Sequence, residues 1–262
     1  MINTELLEYA VKLAIMSPFI KKERPVSLVL LAPPEHAKSE ILKKYVMIES
    51  VRVSTDFNTF HLAEFVTEYQ LGKKRTIMIP DFLRVVKRKY SVQANSISAL
   101  SALTEEGWVG KLPLGQVVDR PVTANVITAL TESELKDKRY KWARRGFMSR
   151  FVPLSYSYDR RTKDLIREYI KNRVYQQDDP YVFETPKNNV DVVLPPDIAE
   201  EVRGITLNIA LGENILGFRL QRQLQVLTMA NALVSGRTVA TTDDVKVIET
   251  LSKFINFDFK EI

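Results

Sequence analysis

The sequence predicts an α/β protein with a parallel sheet in residues 1–158 and an all-helical module in residues 159–262. Short apolar segments of the kind that form buried strands recur at residues 26–31, 50–53, 75–79, 125–130 and 150–154. Helical patterns separate them, and this alternation is typical of a parallel sheet covered by helices on both faces. Strand-like segments stop after Tyr158. We therefore expect an α/β core followed by a smaller helical connector and lid.

Apolar residues at intervals of three and four predict the helices. One helix opens the chain and four follow Tyr158, at Thr4–Ile20, Arg161–Tyr175, Asp197–Leu211, Phe218–Val234 and Thr242–Phe254. Gly236 follows the helix at Phe218–Val234 as a stop signal. The run Thr241–Asp244 caps the start of the last helix. Residues 176–196 have few periodic apolar positions, so we expect an exposed connector there.

The composition excludes several kinds of chemistry. The 262 residues include no cysteine, which excludes disulfides, thiolate zinc sites and cysteine nucleophiles. The formal net charge of +6 permits a polyanionic partner without requiring one. No apolar run approaches the roughly 20 residues that a membrane helix needs. Residues 1–10 carry Glu5 and Glu8 and lack a signal pattern, so we expect a cytoplasmic protein with no membrane partner.

The most informative segment is residues 28–42, an apolar strand followed by a turn with Lys38 and Ser39 and then a helix. This order is that of a phosphate-binding loop. In the intact loop, backbone N–H groups surround the phosphates, the lysine reaches the outer phosphates and the next hydroxyl holds Mg²⁺. The residues predicted to contact the nucleotide are Glu35, His36, Ala37, Lys38 and Ser39. Ser39 is also a predicted Mg²⁺ ligand.

Three positions depart from the intact loop. Ala32, Glu35 and Ala37 stand where the full pattern has glycine or a small neutral residue. The methyl group of Ala37 crowds the approach of a phosphate. The carboxylate of Glu35 repels phosphates unless it points outward or itself fills the nest of N–H groups. An ordinary strand–turn–helix junction with a surface lysine explains this segment equally well.

Polar residues at two further strand ends extend the hypothesis. Asp81 follows the strand at residues 75–79, where a carboxylate next to Mg²⁺ belongs. Thr131 follows the strand at residues 125–130, and its hydroxyl can orient a water or contact the outermost phosphate. A lone aspartate at a strand end is also a common helix cap or turn residue, which is the alternative for Asp81.

Two groups of cations point to further partners. The first group is Lys138, Arg139, Lys141, Arg144, Arg145 and Arg150. An arginine from it can reach the site of an adjacent subunit and stabilise phosphoryl charge. The second group follows Asp81 and precedes Tyr90; it comprises Arg84, Lys87, Arg88 and Lys89. These cations can contact nucleic-acid phosphates, and a solvated helix face is the alternative.

This ordered set of features resembles the AAA+ ATPases, and within them the minichromosome-maintenance helicase branch. The matching segments are Leu31–Leu42 for the nucleotide loop, Ile79–Phe82 for the acidic strand end, Ser98–Gly107 for the following helix, Ile127–Thr131 for the first sensor, Ser149–Phe151 for the Ser-Arg-Phe motif and Arg222–Leu224 for the second sensor. The resemblance covers most of the chain. It implies a P-loop NTPase core and a helical lid.

The resemblance also implies roles for single residues. Asp81 takes the position of the catalytic glutamate, while Pro80 replaces the Mg²⁺-associated aspartate. Thr131 replaces the usual asparagine of the first sensor. Arg150 corresponds to the arginine finger that acts on a neighbouring subunit, and Arg222 to the second sensor. These departures bear on activity rather than on fold.

The implied function is an ATP- and Mg²⁺-dependent motor or switch that acts on nucleic acid. It would assemble as a homo-oligomeric ring such as a hexamer, or with other proteins, in a replication, helicase or loader role that fits a mobile element. One alternative is a degenerate scaffold or assembly subunit that does not hydrolyse ATP. Another is a DNA-binding protein with a vestigial nucleotide site.

Overall fold

A computed structural model describes residues 4–112, 115, 117–136, 142, 146–173 and 179–257. Its strands are β1 (Ser27–Leu31), β2 (Val51–Val53), β3 (Thr76–Ile79), β4 (Trp108–Lys111), β5 (Val117–Val122), β6 (Asn125–Leu130) and β7 (Phe151–Ser155). Five of them form one parallel sheet in the order β2-β3-β6-β1-β7. The predicted α/β class, with its parallel sheet, is confirmed. The antiparallel hairpin β4–β5 was not predicted.

The helices lie between and after these strands. They are α1 (Glu5–Met16), α2 (Lys38–Lys43), α3 (Thr59–Gln70), α4 (Leu83–Val86), α5 (Tyr90–Thr104), α6 (Arg160–Lys171), α7 (Pro196–Glu213), α8 (Phe218–Val234) and α9 (Thr242–Ser252). The first helix ends before its predicted limit because Ser17–Phe19 forms a 3-10 turn with a proline in its first positions. The four predicted C-terminal helices are present: α8 has the predicted bounds, and the ends of the other three are shifted by at most four residues. Among the described residues, no helix combines the length and apolarity that crossing a bilayer requires.

Strand β1 lies inside the sheet and is buried along its whole length. Leu28 and Leu30 belong to a core cluster that contains α1 and α2 and extends to α7–α9. Val29 and Leu31 belong to a second cluster, formed with residues of α3, α4 and α5. Successive side chains of a strand point to opposite faces, which explains why a strand covered on both sides is apolar without interruption.

The order of the strands places a point of diverging connections at one edge of the sheet. The chain leaves β1 toward β2, and it leaves β6 in the other direction, toward β7. In open parallel sheets, ligands bind outside the carboxyl ends of the strands at the position where the connections diverge. This position lies between β1 and β6, which pair directly from Leu28↔Ile127 to Leu31↔Leu130.

The C-terminal helices pack on α1 and on one another. Residues of α7, α8 and α9 share one buried cluster with α1 and with the sheet strand β1. A buried polar network joins two of these helices. Asp244 accepts hydrogen bonds from Asn231 at 2.6 Å and from Arg237 at 2.7 Å, and it completes a capping box with Thr241. Tyr9 donates a hydrogen bond to Asn231, which ties the network to α1.

The described part of the connector, residues 179–195, is mostly exposed but is attached to the body at several points. Val190 donates a backbone hydrogen bond to Phe19 at 2.7 Å and accepts one from Lys21 at 2.8 Å. Val192 is buried. Tyr181 donates to the carboxylate of Glu8. Because the Tyr181 N–H also donates to the carbonyl of Lys44 at 2.6 Å, the connector runs from α1 and the residue after α2 to the start of α7.

A buried ion pair fixes α1 to the residue after α2. The ammonium of Lys44 lies 3.1 Å from both carboxylate oxygens of Glu8, and both side chains are less than a tenth exposed. Thr4 and Tyr181 donate to the same carboxylate. Burial raises the pKa of Glu8, but the hydrogen bonds from Thr4, Tyr181 and Lys44 outweigh it and hold the pKa below its ordinary value.

We expect Glu8→Gln to lower the free energy of unfolding by about 3 kcal/mol near neutral pH, because it removes the carboxylate that pairs with the buried Lys44 ammonium. The Glu8 carboxyl has a lower pKa in the folded chain than in the unfolded chain. Its contribution is therefore present above the unfolded pKa and is lost as pH falls through the folded pKa. The wild type should lose more stability than Glu8→Gln between about pH 6 and about pH 3.

Urea unfolding at the two pH values measures both effects. The matched control is Glu5→Gln, on an exposed position of the same helix, which should change stability by less than about 0.5 kcal/mol. If Glu8→Gln and Glu5→Gln lowered the free energy of unfolding equally, the ion pair between Glu8 and Lys44 would not stabilise the fold.

Candidate nucleotide site

In the loop between β1 and α2, two residues have the left-handed backbone that favours glycine. Glu35 and Ala37 adopt left-handed conformations, with φ of 63° and 53°. Left-handed backbone costs a residue with a side chain about 1–2 kcal/mol, and glycine adopts it freely. Two of the three positions that depart from the intact motif therefore retain a backbone suited to glycine.

This backbone leaves a row of free donors at the start of α2. The N–H groups of residues 37–40 form no hydrogen bond with any described residue, and the first helical bond is from Ile41 to Ala37 at 2.9 Å. Successive N–H groups in such a turn create a concavity that binds anions. The arrangement can accept phosphate oxygens, and Lys38 stands within it.

The Lys38 side chain folds back over this loop. Its ammonium donates to the carbonyls of Ala32 and Pro33, each at 2.7 Å. Burial lowers the pKa of Lys38, and the negative charges of Glu134 and Glu132 partly oppose this. An ammonium has three donors, so two hydrogen bonds to carbonyls leave one for a phosphate.

Ser39 connects the loop to the end of β3, as the hypothesis requires. Its hydroxyl donates to the carbonyl of Pro80 at 3.3 Å. Thr128 of β6 donates to the carbonyl of Ile79 at 2.6 Å, which ties the ends of the two strands together. The structure thus brings the loop and the ends of β3 and β6 to one edge of the sheet.

The carboxylate of Asp81 takes part in a local turn. It accepts a hydrogen bond from the Leu83 N–H at 3.1 Å and lies 3.6 Å from Arg84, and half of the side chain is exposed. These contacts are those of a turn residue before α4. In the described part of the chain, no group of three or more His, Cys, Asp or Glu side chains is arranged to hold a metal ion.

Thr131 caps the short helix at residues 132–136. Its hydroxyl accepts from the Glu134 N–H at 3.3 Å, while its own N–H donates to the Glu134 carboxylate at 3.0 Å. Sequence reasoning missed Glu132 and Glu134, whose charges act on Lys38. The signal was present, because Thr131 followed by a glutamate three residues later is a capping box.

His36 packs into the protein behind the loop. Its ring stacks on Tyr158 with centroids 4.7 Å apart, and its Nδ1 lies 2.8 Å from the carbonyl of Pro34. Its own carbonyl accepts a hydrogen bond from the Tyr156 hydroxyl, whose pKa is raised by burial. Tyr156 and Tyr158 belong to the segment that follows β7. These contacts therefore hold the loop against that segment.

Arg150 lies at the opposite edge of the sheet from Lys38. It directly precedes β7, and the first residue of β7 pairs with Ser27 at the start of β1. Its Nε lies 2.9 Å from the carboxylate of Glu105, and its guanidinium donates to the carbonyl of Gly146. Within one chain Arg150 therefore does not reach the loop.

Four arginines gather at this second edge. Arg24, Arg150, Arg219 and Arg222 line one cleft. Arg219 lies 2.7 Å from Glu105 and Arg24 lies 3.6 Å from it, while Arg222 lies 3.3 Å from Glu23. The structure thus brings together the two predicted arginines, and it adds Arg24 and Arg219. Arg219 and Arg222 are three residues apart on α8, a spacing that places them on one helix face.

The two groups of cations differ in how much the structure describes. Lys138, Arg139, Lys141, Arg144 and Arg145 lie outside the described residues. In the second group, Arg84 pairs with Asp81 and Arg88 with Asp56. Lys87 and Lys89 are exposed. Lys87 and Arg88 line a surface cleft that also contains Glu134, so this group lies beside the loop edge.

We expect Ala37→Gly to raise the free energy of unfolding by up to about 1 kcal/mol. The strain relieved is about 1–2 kcal/mol, and the greater freedom of glycine in the unfolded chain removes about 0.5–1 kcal/mol of that gain. Urea unfolding measures the change. The matched control is Ala99→Gly within α5, which should lower stability by about 0.5–1 kcal/mol. If Ala37→Gly lost as much stability as Ala99→Gly, the left-handed backbone at Ala37 would not be strained.

No protein-family model matches this chain, and no curated protein matches its sequence significantly. The comparison with known proteins therefore names no family. Function has to be inferred from the edge of the sheet where the loop, Ser39 and the ends of β3 and β6 meet.

Proposed function

We propose that this chain is an AAA+-like P-loop protein that binds ATP at the carboxyl edge of its sheet. One observation carries the proposal. The lysine of the loop, the free N–H groups of residues 37–40 and the ends of β3 and β6 lie together at the point where the strand connections diverge. An anion-binding backbone with a lysine at this position is the arrangement that holds nucleotide phosphates.

The residues present fit a bound triphosphate. The N–H groups of residues 37–40 donate to phosphate oxygens, and the remaining donor of the Lys38 ammonium adds a charged contact. The Ser39 hydroxyl, held against the carbonyl of Pro80, is a ligand for Mg²⁺ that arrives with the nucleotide. Mg²⁺ neutralises phosphate charge when bound. The carboxylates of Glu132 and Glu134 balance the charge of Lys38 before ATP binds.

The same contacts support slow hydrolysis. Pro80 supplies no carboxylate, Asp81 is engaged by Leu83 and Arg84, and Thr131 caps a helix. Loss of one charge-stabilising group from a phosphoryl-transfer site slows it by about 10³-fold. We therefore favour a switch that responds to bound ATP over a fast motor.

Assembly into a head-to-tail oligomer follows from the two edges. Arg150 and Arg222 lie at the edge opposite the loop, so they serve the loop of a neighbouring copy. Exposed apolar side chains occur near them in the chain: Leu211 and Leu216 are 82% exposed, and Phe218, which lines a groove with Arg222, is 76% exposed. Aromatic and aliphatic side chains next to arginines form the central contacts of many interfaces. A ring is the closed form of such an arrangement.

A nucleic-acid role rests on the basic segment beside the loop edge. Lys87 and Lys89 are exposed there and can contact phosphates. Because Arg84 and Arg88 are already paired with Asp81 and Asp56, this segment supports contact with DNA less strongly than the loop supports ATP binding.

A scaffold without nucleotide is the second candidate. The hydrogen bonds from Lys38 to two carbonyls favour the scaffold, because they give the ammonium acceptors when no phosphate is bound. In that case the neighbour's arginines would meet the carboxylates of Glu132 and Glu134, and assembly would not depend on ATP.

We expect the wild type to bind ATP with Mg²⁺ and Lys38→Ala to bind at least about tenfold more weakly, since it loses a charge-assisted contact of about 1.5–3 kcal/mol. Isothermal titration calorimetry measures the affinity. Lys43→Ala, on an exposed position of the same helix, is the matched control and should stay within about twofold of the wild type. Absence of binding by the wild type would contradict the proposal and favour the scaffold.

A mixing experiment tests the neighbouring copy. With ATP present, Lys38→Ala by itself and Arg150→Ala by itself should each stay monomeric, because each lacks one half of the interface. An equal mixture of the two variants should form dimers, because the intact loop of Arg150→Ala meets the intact arginine edge of Lys38→Ala. Arg222→Ala, at a more exposed position, is a second arginine variant, and Arg203→Ala, on the outer face of α7, is the control that should assemble as the wild type does. Mass photometry counts the species, and a mixture that stays monomeric would contradict the head-to-tail arrangement.

A further inference from the structure

The carboxylate of Glu105 is shared by three of the arginines at the edge opposite the loop. It lies 2.9 Å from Arg150, 2.7 Å from Arg219 and 3.6 Å from Arg24. Among the described residues that line the cleft at this edge, Glu105 is the single acidic side chain. One carboxylate therefore balances one of the three positive charges that meet on it.

Arg150 is held more tightly than the other arginines of the cleft. Its side chain is 12% exposed, whereas those of the other three are 46–48% exposed. Its Nε faces one carboxylate oxygen of Glu105, and its Nη1 donates to the carbonyl of Gly146. Its backbone carbonyl accepts a hydrogen bond from Gln223 at 2.9 Å. A side chain held in this way does not extend from the surface toward a neighbouring copy.

Glu105 stays paired when Arg150 leaves. Arg219 donates to its other oxygen, Oε1, from Nε at 3.0 Å and from Nη2 at 2.7 Å, and Arg24 lies 3.6 Å from the same oxygen. Loss of one partner from a buried ion pair is strongly unfavourable when it leaves the other charge alone. Here two cations remain on the carboxylate, so the contact with Arg150 can be exchanged for another anion at a reduced cost.

We propose that Glu105 is a positioning residue that withholds Arg150 from a neighbouring copy until ATP bound there competes for the guanidinium. This regulation rests on the proposed function, because it acts on the arginine half of that interface. A triphosphate carries more negative charge than one carboxylate, and a guanidinium binds phosphate oxygens and carboxylate oxygens with the same geometry. An occupied neighbouring loop therefore draws Arg150 out of the cleft, and an empty loop leaves it on Glu105.

Two other roles of Glu105 predict different results. A carboxylate that prepares Arg150 for the neighbour would weaken assembly when it is removed. A carboxylate that serves only to join the end of α5 to the start of α8, through Arg219, would change the stability of the chain. Its removal would leave both the accessibility of Arg150 and the ATP concentration needed for assembly unchanged.

Chemical modification of arginine tests the contact in the single chain without ATP. Phenylglyoxal reacts with accessible guanidinium groups, and mass spectrometry of the peptides gives a rate for each arginine. We expect Arg150 to react at least about tenfold faster in Glu105→Gln than in the wild type, because a charge-assisted contact is lost. The matched control is Glu106→Gln, which removes the same charge at the next, exposed position and should stay within about twofold.

Assembly tests the consequence for the interface. Glu105→Gln should assemble at an ATP concentration about tenfold lower than the wild type, because a larger fraction of the chains has Arg150 free to bind. Mass photometry over a series of ATP concentrations gives the midpoint. Glu106→Gln should keep the midpoint of the wild type within about twofold. Glu105→Gln combined with Arg150→Ala should not assemble, since the effect acts through Arg150.

A second variant keeps the charge at this position. Glu105→Asp withdraws the carboxylate from Arg150 by one methylene group. Arg150 should therefore react faster than in the wild type and more slowly than in Glu105→Gln. Circular dichroism shows whether each variant is folded, and Glu105→Asp provides the test if Glu105→Gln does not fold.

The two measurements separate this regulation from the proposed function. Equal rates for Arg150 in the wild type and in Glu105→Gln overturn the role of Glu105, whatever ATP does. A higher ATP midpoint for Glu105→Gln, or the same shift in Glu106→Gln, also overturns it. Faster reaction of Arg150 without ATP-dependent assembly of any variant or of the wild type confirms the contact but overturns the proposed function, and the regulation with it. Faster reaction together with a lower midpoint supports both.

Discussion

Burial of β1 on both faces is the constraint on which the rest of the structure depends. Leu28 and Leu30 anchor α1, α2 and the C-terminal helices, while Val29 and Leu31 anchor α3, α4 and α5. Because β6 and β7 pair with the two edges of β1, the residues that follow it have one direction open, across the carboxyl edge of the sheet. The loop and its free N–H groups are held there by a rigid core, which gives a flexible anion a fixed set of donors.

The fold was largely predictable because its central strands are apolar without interruption. All five predicted strand segments are strands of the parallel sheet. The hairpin β4–β5 escaped prediction because Trp108–Lys111 alternates half-buried and exposed residues over only four positions. Helix ends were less predictable than helices, since Pro18 and local 3-10 geometry decide where α1 stops.

The candidate site was predictable as a set of positions and less so as a set of side chains. The meeting of Ser39 with the end of β3 follows from strand order alone. The directions of Asp81 and Thr131 do not, because each serves a local turn whose hydrogen bonds outweigh a distant ligand. Sequence spacing also could not reveal that Lys38 binds the carbonyls of its own loop, or that Glu105 gathers arginines from three separate segments. Both depend on side-chain packing.

In the proposed function, the two edges of the sheet are complementary halves of one nucleotide interface. The loop edge supplies backbone donors and Lys38, and the opposite edge supplies arginines. Hydrogen exchange of the backbone amides, with and without ATP and Mg²⁺, tests the loop half most directly. Because the amides of residues 37–40 have no acceptor within the described chain, they should exchange rapidly without ATP and slowly with it. Unchanged exchange at residues 37–40 under saturating ATP, or protection confined to other segments, would contradict the account.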